Sequence, residues 1–180
     1  MSEEKILPII TDRKPVAKSR LFAIEQVDLT FSNGATREYE RMKGGGRGAV
    51  MIVPMLDDGT LLLIREYCAG THSYELGFPK GLIDVGETAQ QAGNRELQEE
   101  IGFAATEWTF LHQVRIAPAI LNSKMDIFLA KGLYPSRLEG DEPEPLDVVE
   151  WKLSDYQALL AREDFNEARS IVALMLAKEL

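Results

Sequence analysis

Among its 180 residues the chain has one cysteine, Cys68, so no intrachain disulfide can form, which suits a reducing compartment. No apolar run approaches the ~20 residues of a membrane-spanning helix. The opening Met-Ser-Glu-Glu-Lys lacks the apolar stretch of a secretory signal. A cytoplasmic protein with no membrane partner is the expectation. Positive charge is scarce too: 20 Lys and Arg against 29 Asp and Glu leave a net charge of −9. A sequence-independent nucleic-acid binder needs clustered cations to displace phosphate counterions, so the balance argues against a polynucleotide partner. A small anionic substrate accompanied by metal cations stays open. His72 and His112 lack metal-ligand spacing. Gly44-Gly45-Gly46 is not followed by the lysine that a phosphate-binding P-loop requires, and reads as a linker.

What is present is ordinary for a soluble globular chain, with 45% hydrophobic and 27% charged residues. Residues 1–18, with Pro8 and Pro15, read as an extended lead-in. Arg20–Met42 reads as two strands around the turn Ser32-Asn33-Gly34. Gly48–Leu56 and Thr60–Tyr67 are apolar runs that Asp57-Asp58-Gly59 should join into a hairpin. Glu75–Gly86, rich in Gly and Pro, reads as loop. Thr88–Ile101 reads as helix, with a capping box of Thr88 and Gln91 at its start and Gly102 as its stop. Strands are expected at Thr109–Ile116, Lys124–Ala130 and Asp147–Leu153, and helices at Ser154–Arg162 and Asn166–Lys178. The last two strands flank an acidic, proline-bearing loop, Glu139–Pro145. Mixed strands with helices on either side imply an α/β sandwich.

The chemistry concentrates in one segment, Gly81 to Phe103. At 100° per residue, Glu96, Glu99 and Glu100 share an arc of about 100° on one helical face. Leu97 and Ile101 fall on a neighbouring face that can dock on a sheet. Glu96 is a like-charge neighbour of both Glu99 and Glu100, each pair costing roughly 0.2–0.5 kcal/mol. All three glutamates crowd the last turn, where the helix dipole is already negative. Hard oxygen ligands converging on one spot are what Mg²⁺ or Mn²⁺ requires, and a bound dication reverses the penalty. Arg95 can brace the cluster through Glu99 or Glu87. A solvated acidic face is the bland alternative, and the glycines of the preceding loop, Gly81 and Gly86, weigh against it.

The segment resembles the Nudix box at every specified position: Gly81, five residues, Glu87, seven residues, then Arg95-Glu96-Leu97-Gln98-Glu99-Glu100-Ile101-Gly102-Phe103. The resemblance implies a Nudix α/β/α sandwich with a mixed sheet and a metal-dependent hydrolase acting on a diphosphate bond. It makes Glu96, Glu99 and Glu100 metal ligands, joined by the carbonyl of Lys80, and Glu87 and Arg95 the braces of the loop-helix-loop. It divides the chain into a small N-terminal antiparallel β extension, residues 1–45, for dimerisation and substrate contact, and a hydrolase domain, residues 46–180.

Within that family the chain resembles the ADP-ribose pyrophosphatase branch, and there the bacterial members that act on a range of ADP compounds. Pro118, fifteen residues past the box, is similar to the proline that marks ADP-sugar hydrolases; ending a strand is its bland reading. Asp141-Glu142-Pro143-Glu144 is similar to that branch's acidic loop, which implies Glu142 as general base, Glu144 as alternate base or extra ligand, and Glu100 as the fallback. The N-terminal strands resemble those through which such enzymes dimerise. Phe78-Pro79-Lys80-Gly81 instead resembles dinucleoside polyphosphate hydrolases. Arg65-Glu66-Tyr67-Cys68 lacks the terminal arginine frequent in the ADP-ribose branch. The mixture implies a broad range of ADP compounds: ADP-ribose, diadenosine triphosphate and NADH, each cut to release AMP. Dinucleoside polyphosphate hydrolysis as main activity, and a non-catalytic nucleotide sensor, are the alternatives. Arg37 and Arg41 share one face of a strand and could reach phosphates across a dimer interface, or simply be solvated. Tyr39, Tyr67 and Phe78 are candidate platforms for adenine, or core.

Overall fold

A computed structural model describes residues 5–44 and 46–180. The opening Met-Ser-Glu-Glu and the Gly45 of the expected linker lie outside the described residues. The elements are β1 (Ile9–Lys18), β2 (Ala23–Thr30), β3 (Thr36–Met42), β4 (Ala49–Pro54), β5 (Thr60–Cys68), β6 (Ser73–Gly77), β7 (Lys80–Leu82), α1 (Ala89–Glu100), β8 (Phe103–Val114), β9 (Met125–Pro135), β10 (Asp147–Lys152), α2 (Tyr156–Leu160) and α3 (Ala168–Lys178). No described helix is long and apolar enough to cross a membrane. The chain forms two compact units. One runs up to Gly46 and takes in Arg115–Ser123; the other holds Arg47–Val114 and Lys124–Leu180.

The first unit is an antiparallel sheet in the order β1-β2-β3. Its first strand corrects the expected lead-in. Proline is tolerated there because β1 is an edge strand, and the register shifts just after it, between Pro15 and Ala17. The Ser32-Asn33-Gly34 turn forms as expected, with Gly34 at φ +80° and Asn33 Oδ1 accepting from the Ala35 N–H at 3.0 Å. The Arg115–Ser123 connection, which carries Pro118, joins this sheet through the Met42 N–H donating to the Ile120 carbonyl (2.8 Å).

The second unit is the sandwich. A four-stranded mixed sheet runs β7-β4-β9-β8, with β4 and β9 parallel, and a three-stranded antiparallel sheet runs β10-β5-β6. Alternation assigns each face of the inner strands to a different helix layer. Val50 and Ile52 of β4, with Leu62 and Ile64 of β5, pack on Ala92 and Leu97 of α1 and on Ile101, which caps its C-terminal end. Met51 and Val53, with Leu61 and Leu63, face Leu159 of α2 and Ala173, Leu174 and Ala177 of α3. Strands covered on both sides read as continuous apolar runs. Each fully buried Leu or Ile contributes roughly 1.5–3 kcal/mol.

Two expectations fail here for the same reason, that tertiary partners decide. Asp57-Asp58-Gly59 does turn the chain, with Gly59 at φ +78°, and a bridge joins Met55 to Leu61. Beyond it the strands part, because each needs neighbours on both edges: β4 lies between β7 and β9, β5 between β10 and β6. Glu75–Gly86 is not all loop either, since it holds β6 and β7. Gly77 there serves close approach, since a β-carbon on it would lie 3.0 Å from Ser170 Oγ, whereas Gly86 takes a positive φ of +94°.

Candidate active site

Helix α1 presents the acidic cluster, and its ends are fixed locally. Thr88 caps it, its hydroxyl accepting from the Gln91 N–H (3.2 Å) while Gln91 Oε1 accepts from the Thr88 N–H (2.8 Å). Gly102 stops it at φ +85°. The Arg95 guanidinium then organises the surroundings. It donates to both oxygens of Glu87 (3.0 Å each), to Glu96 (2.8 Å), to Glu99 (3.0 Å) and to the Leu82 carbonyl (2.9 Å). Both expected braces, Glu87 and Glu99, are engaged at once. Glu87 also accepts from the Asp84 N–H (3.1 Å), closing the loop that precedes the helix. Strand β7 supplies the facing wall. There the Lys80 N–H donates to Glu100 (3.0 Å), the Lys80 ammonium pairs with Glu66, and the backbone of Gly81 lies against the Glu96 carboxylate.

Glu96 and Glu100 are both buried, which is rare for glutamate. Burial pushes the Glu100 carboxyl up to about 9, against the pull of Lys80, with Glu96 and Glu66 adding to the rise. Burial raises Glu96 as well, and Arg95 opposes it. The Arg95 hydrogen bonds hold Glu87 below the usual carboxylate range. More negative charge is gathered here than Arg95 and Lys80 balance. Glu66, Glu96, Glu99, Glu100, Glu139 and Glu142 all line one cavity of about 500 Å³.

This donor set fits a hard divalent cation by chemistry, since it consists of carboxylate oxygens. It is not a ready-made cage: among the described residues no three acidic, His or Cys side chains already converge at ligand distance. Glu96 and Glu99 rest on Arg95, and Glu100 on a main-chain N–H.

The acidic loop meets the helix at this cavity. A β-carbon on Gly140 would collide with the Glu142 carboxylate and lie 3.7 Å from Cβ of Glu99, so the loop crest rests on α1. Glu144 lines an adjoining cavity and accepts a hydrogen bond from the Tyr74 hydroxyl (2.5 Å). Phe78 is a correction: it is fully buried, edge-to-face with Phe165 at 6.4 Å, and has no free face for a base. Tyr67 is half-exposed, with its hydroxyl on His72 (2.8 Å). Arg37, Arg41 and Pro118 belong to the first unit. There Arg41 is paired with Glu25 (2.8 Å), and Arg37 donates to the Thr36 carbonyl (2.7 Å). Sequence reasoning missed Glu66, the Lys80 ammonium and Tyr74. Glu66 and Lys80 left a trace, in Arg65-Glu66-Tyr67-Cys68 and Phe78-Pro79-Lys80-Gly81, and Tyr74 left none.

Comparison with known proteins identifies the family. The family model described as NudE-type Nudix hydrolase N-terminal domain matches residues 8–41, and that of the NUDIX domain matches residues 46–175. The chain is 56% identical to the ADP compounds hydrolase NudE of Escherichia coli (strain K12), over 99% of this chain and 96% of that one. It is 25% identical to the ADP-ribose pyrophosphatase of Bacillus subtilis (strain 168), covering 91% of each. A crystal structure of an ADP compounds hydrolase, 56% identical, superimposes with a TM-score of 0.94 over 99% of this chain and 96% of that one. Glu96, Glu99 and Glu100 on a capped helix, braced by Arg95 and closed by an acidic loop, thus sit in a chain that belongs to the Nudix hydrolase family.

Proposed function

We propose that the chain hydrolyses the diphosphate linkage of ADP-containing compounds, among them ADP-ribose, diadenosine triphosphate and NADH, and releases AMP. The cavity in which Glu96, Glu99 and Glu100 face Glu142 carries this reading. Similarity along nearly the whole chain to an ADP compounds hydrolase supports the substrate class. The three helix glutamates and the Lys80 carbonyl would hold Mg²⁺ or Mn²⁺, which would supply charge neutralisation at the phosphates and a more acidic water. Glu142 takes the proton from the attacking water. Arg95 and Glu87 hold the loop against the helix so that the ligands stay aimed at one place. Diadenosine triphosphate as preferred substrate is a second reading, favoured by Phe78-Pro79-Lys80-Gly81, which sets the Lys80 ammonium among the cavity's carboxylates.

The active form in this proposal is a cytoplasmic homodimer joined through the N-terminal sheet, with Arg37 and Arg41 directed to substrate phosphates. Its support is β1, exposed along its whole length in the single chain, with Ile9, Ile10 and Val16 among the exposed residues. A monomer mass by light scattering at working concentration counts against it.

The deciding experiment incubates the protein and Mg²⁺ with ADP-ribose, diadenosine triphosphate, NADH, a GDP-sugar and nucleoside triphosphates, beside a Glu100→Gln control. AMP from the ADP compounds alone, lost in the control, supports the reading. Tight nucleotide binding without turnover on any of them replaces it with a sensor.

A further inference from the structure

The acidic loop between β9 and β10 is tied at both feet. At the first, the Ser136 N–H donates to the Gly102 carbonyl (3.0 Å), the Leu138 N–H to the Gln98 carbonyl (3.3 Å) and the Ser136 hydroxyl to Gln98 Oε1 (2.8 Å). These bonds fasten it to the turn of α1 that bears Glu99 and Glu100. At the second foot the tie is the Tyr74 hydroxyl donating to Glu144 Oε1 at 2.5 Å. Tyr74 stands on β6, the edge strand of the three-stranded antiparallel sheet, with its side chain exposed, and its ring meets that of Tyr67 edge to face at 5.8 Å. Tyr67 is braced in turn by His72, ring to ring at 5.8 Å. The Tyr74 ring thus has a neighbour on its own sheet besides Glu144, and a hydrogen bond to an ionised carboxylate is roughly twice as strong as a neutral one.

The stretch that carries the two glutamates is stiffened by proline. Glu142 precedes Pro143 and Glu144 precedes Pro145, and each proline disfavours helical backbone at the residue before it. Fixing Glu144 thus restricts Glu142, whose carboxylate folds over Gly140 beside Glu99.

We propose that Tyr74 and Glu144 form a latch that positions Glu142 at the metal glutamates, so that Glu144 is a positioning residue and neither base nor ligand. The proposal rests on the reading of Glu142 as general base.

The test measures AMP release from ADP-ribose at saturating Mg²⁺, with Mg²⁺ affinity and melting temperature, for Tyr74→Phe, Glu144→Ala, Glu144→Gln, the Tyr74→Phe/Glu144→Ala double variant and Glu142→Gln. Displacing a reacting group by ~1 Å can cost up to ~100-fold in rate. Tyr74→Phe and Glu144→Ala should each lower kcat by ~10-fold while KM, Mg²⁺ affinity and melting temperature stay near wild type. The double variant should lose no more than either single one. Glu144→Gln, whose amide oxygen still accepts from Tyr74, should recover most of what Glu144→Ala loses. Equal impairment of Glu144→Gln and Glu144→Ala, with Tyr74→Phe fully active, overturns the latch and makes Glu144 a base or ligand. Impaired Glu142→Gln beside fully active Tyr74→Phe overturns the latch alone. Full turnover in Glu142→Gln overturns the base reading beneath it.

Discussion

Gly81 has no room for a β-carbon, because one placed there would overlap the carboxylate of Glu96. The φ of Gly81 is not positive, so the requirement is one of space and not of backbone conformation. Gly81→Ala should therefore leave the fold intact, displace Glu96, and lower both Mg²⁺ affinity and turnover, the latter by on the order of 100-fold. Turnover at the wild-type level would show that Glu96 has slack.

Arg95 is a planar fork with five donor contacts, and lysine offers one point charge. Arg95→Lys should lose much of the bracing, and Arg95→Ala should destabilise further by leaving Glu96 buried and unpaired, ~2–4 kcal/mol in all. Thermal unfolding without metal reads this directly. A change below ~0.5 kcal/mol for Arg95→Ala would mean that water replaces the guanidinium.

The same crowding predicts that a dication stabilises the fold. At a hundredfold excess over Kd, a ligand that binds only the folded state adds about 2.7 kcal/mol. For a chain of this size that is on the order of 5–10 °C in melting temperature. Mg²⁺ titrated in calorimetry should raise Tm for the wild type and much less for Glu99→Gln. Equal shifts in the two would remove Glu99 from the ligand set.

Asp164 gives a pH dependence remote from the catalytic cavity. Arg162 and then Arg65 hydrogen-bond its carboxylate, holding it well below the usual range, and its carbonyl accepts from the Leu76 N–H (2.7 Å). A carboxylate with depressed folded-state pKa contributes stability that is complete above its unfolded value, about 3.9. That contribution is lost as pH falls through the lower folded value. Asp164→Asn should thus be less stable than wild type at pH 7, with the gap narrowing below about pH 4. A gap constant from pH 7 to 3 would assign the loss to packing.

How much of this could be read from the chain depends on how local its cause is. Helix α1, its Thr88–Gln91 box and its Gly102 stop were legible because cap, face and terminator lie within one short segment. The glutamate pattern was legible because it opposes helix stability. Strand β7 was not, because Gly81 reads as a loop residue until Glu96 is seen against it. Phe78 as platform or core turned on Phe165, and the contact of Glu144 turned on Tyr74, partners far away in sequence. Likewise the Asp57-Asp58-Gly59 turn was visible, but the division of its two strands between sheets was set by β9 and β10.

The place of β10 bears on the order in which the molecule can be made. Strand β5 carries Leu61, Leu62, Leu63 and Ile64, all buried, and one of its edges is covered only by Asp147–Lys152. During synthesis that apolar edge must wait for most of the chain to emerge before it finds its partner. The polypeptide is thus a substrate for edge-to-edge association until its last fifth is available, and ribosomal pausing ahead of Asp147 would prolong that exposure.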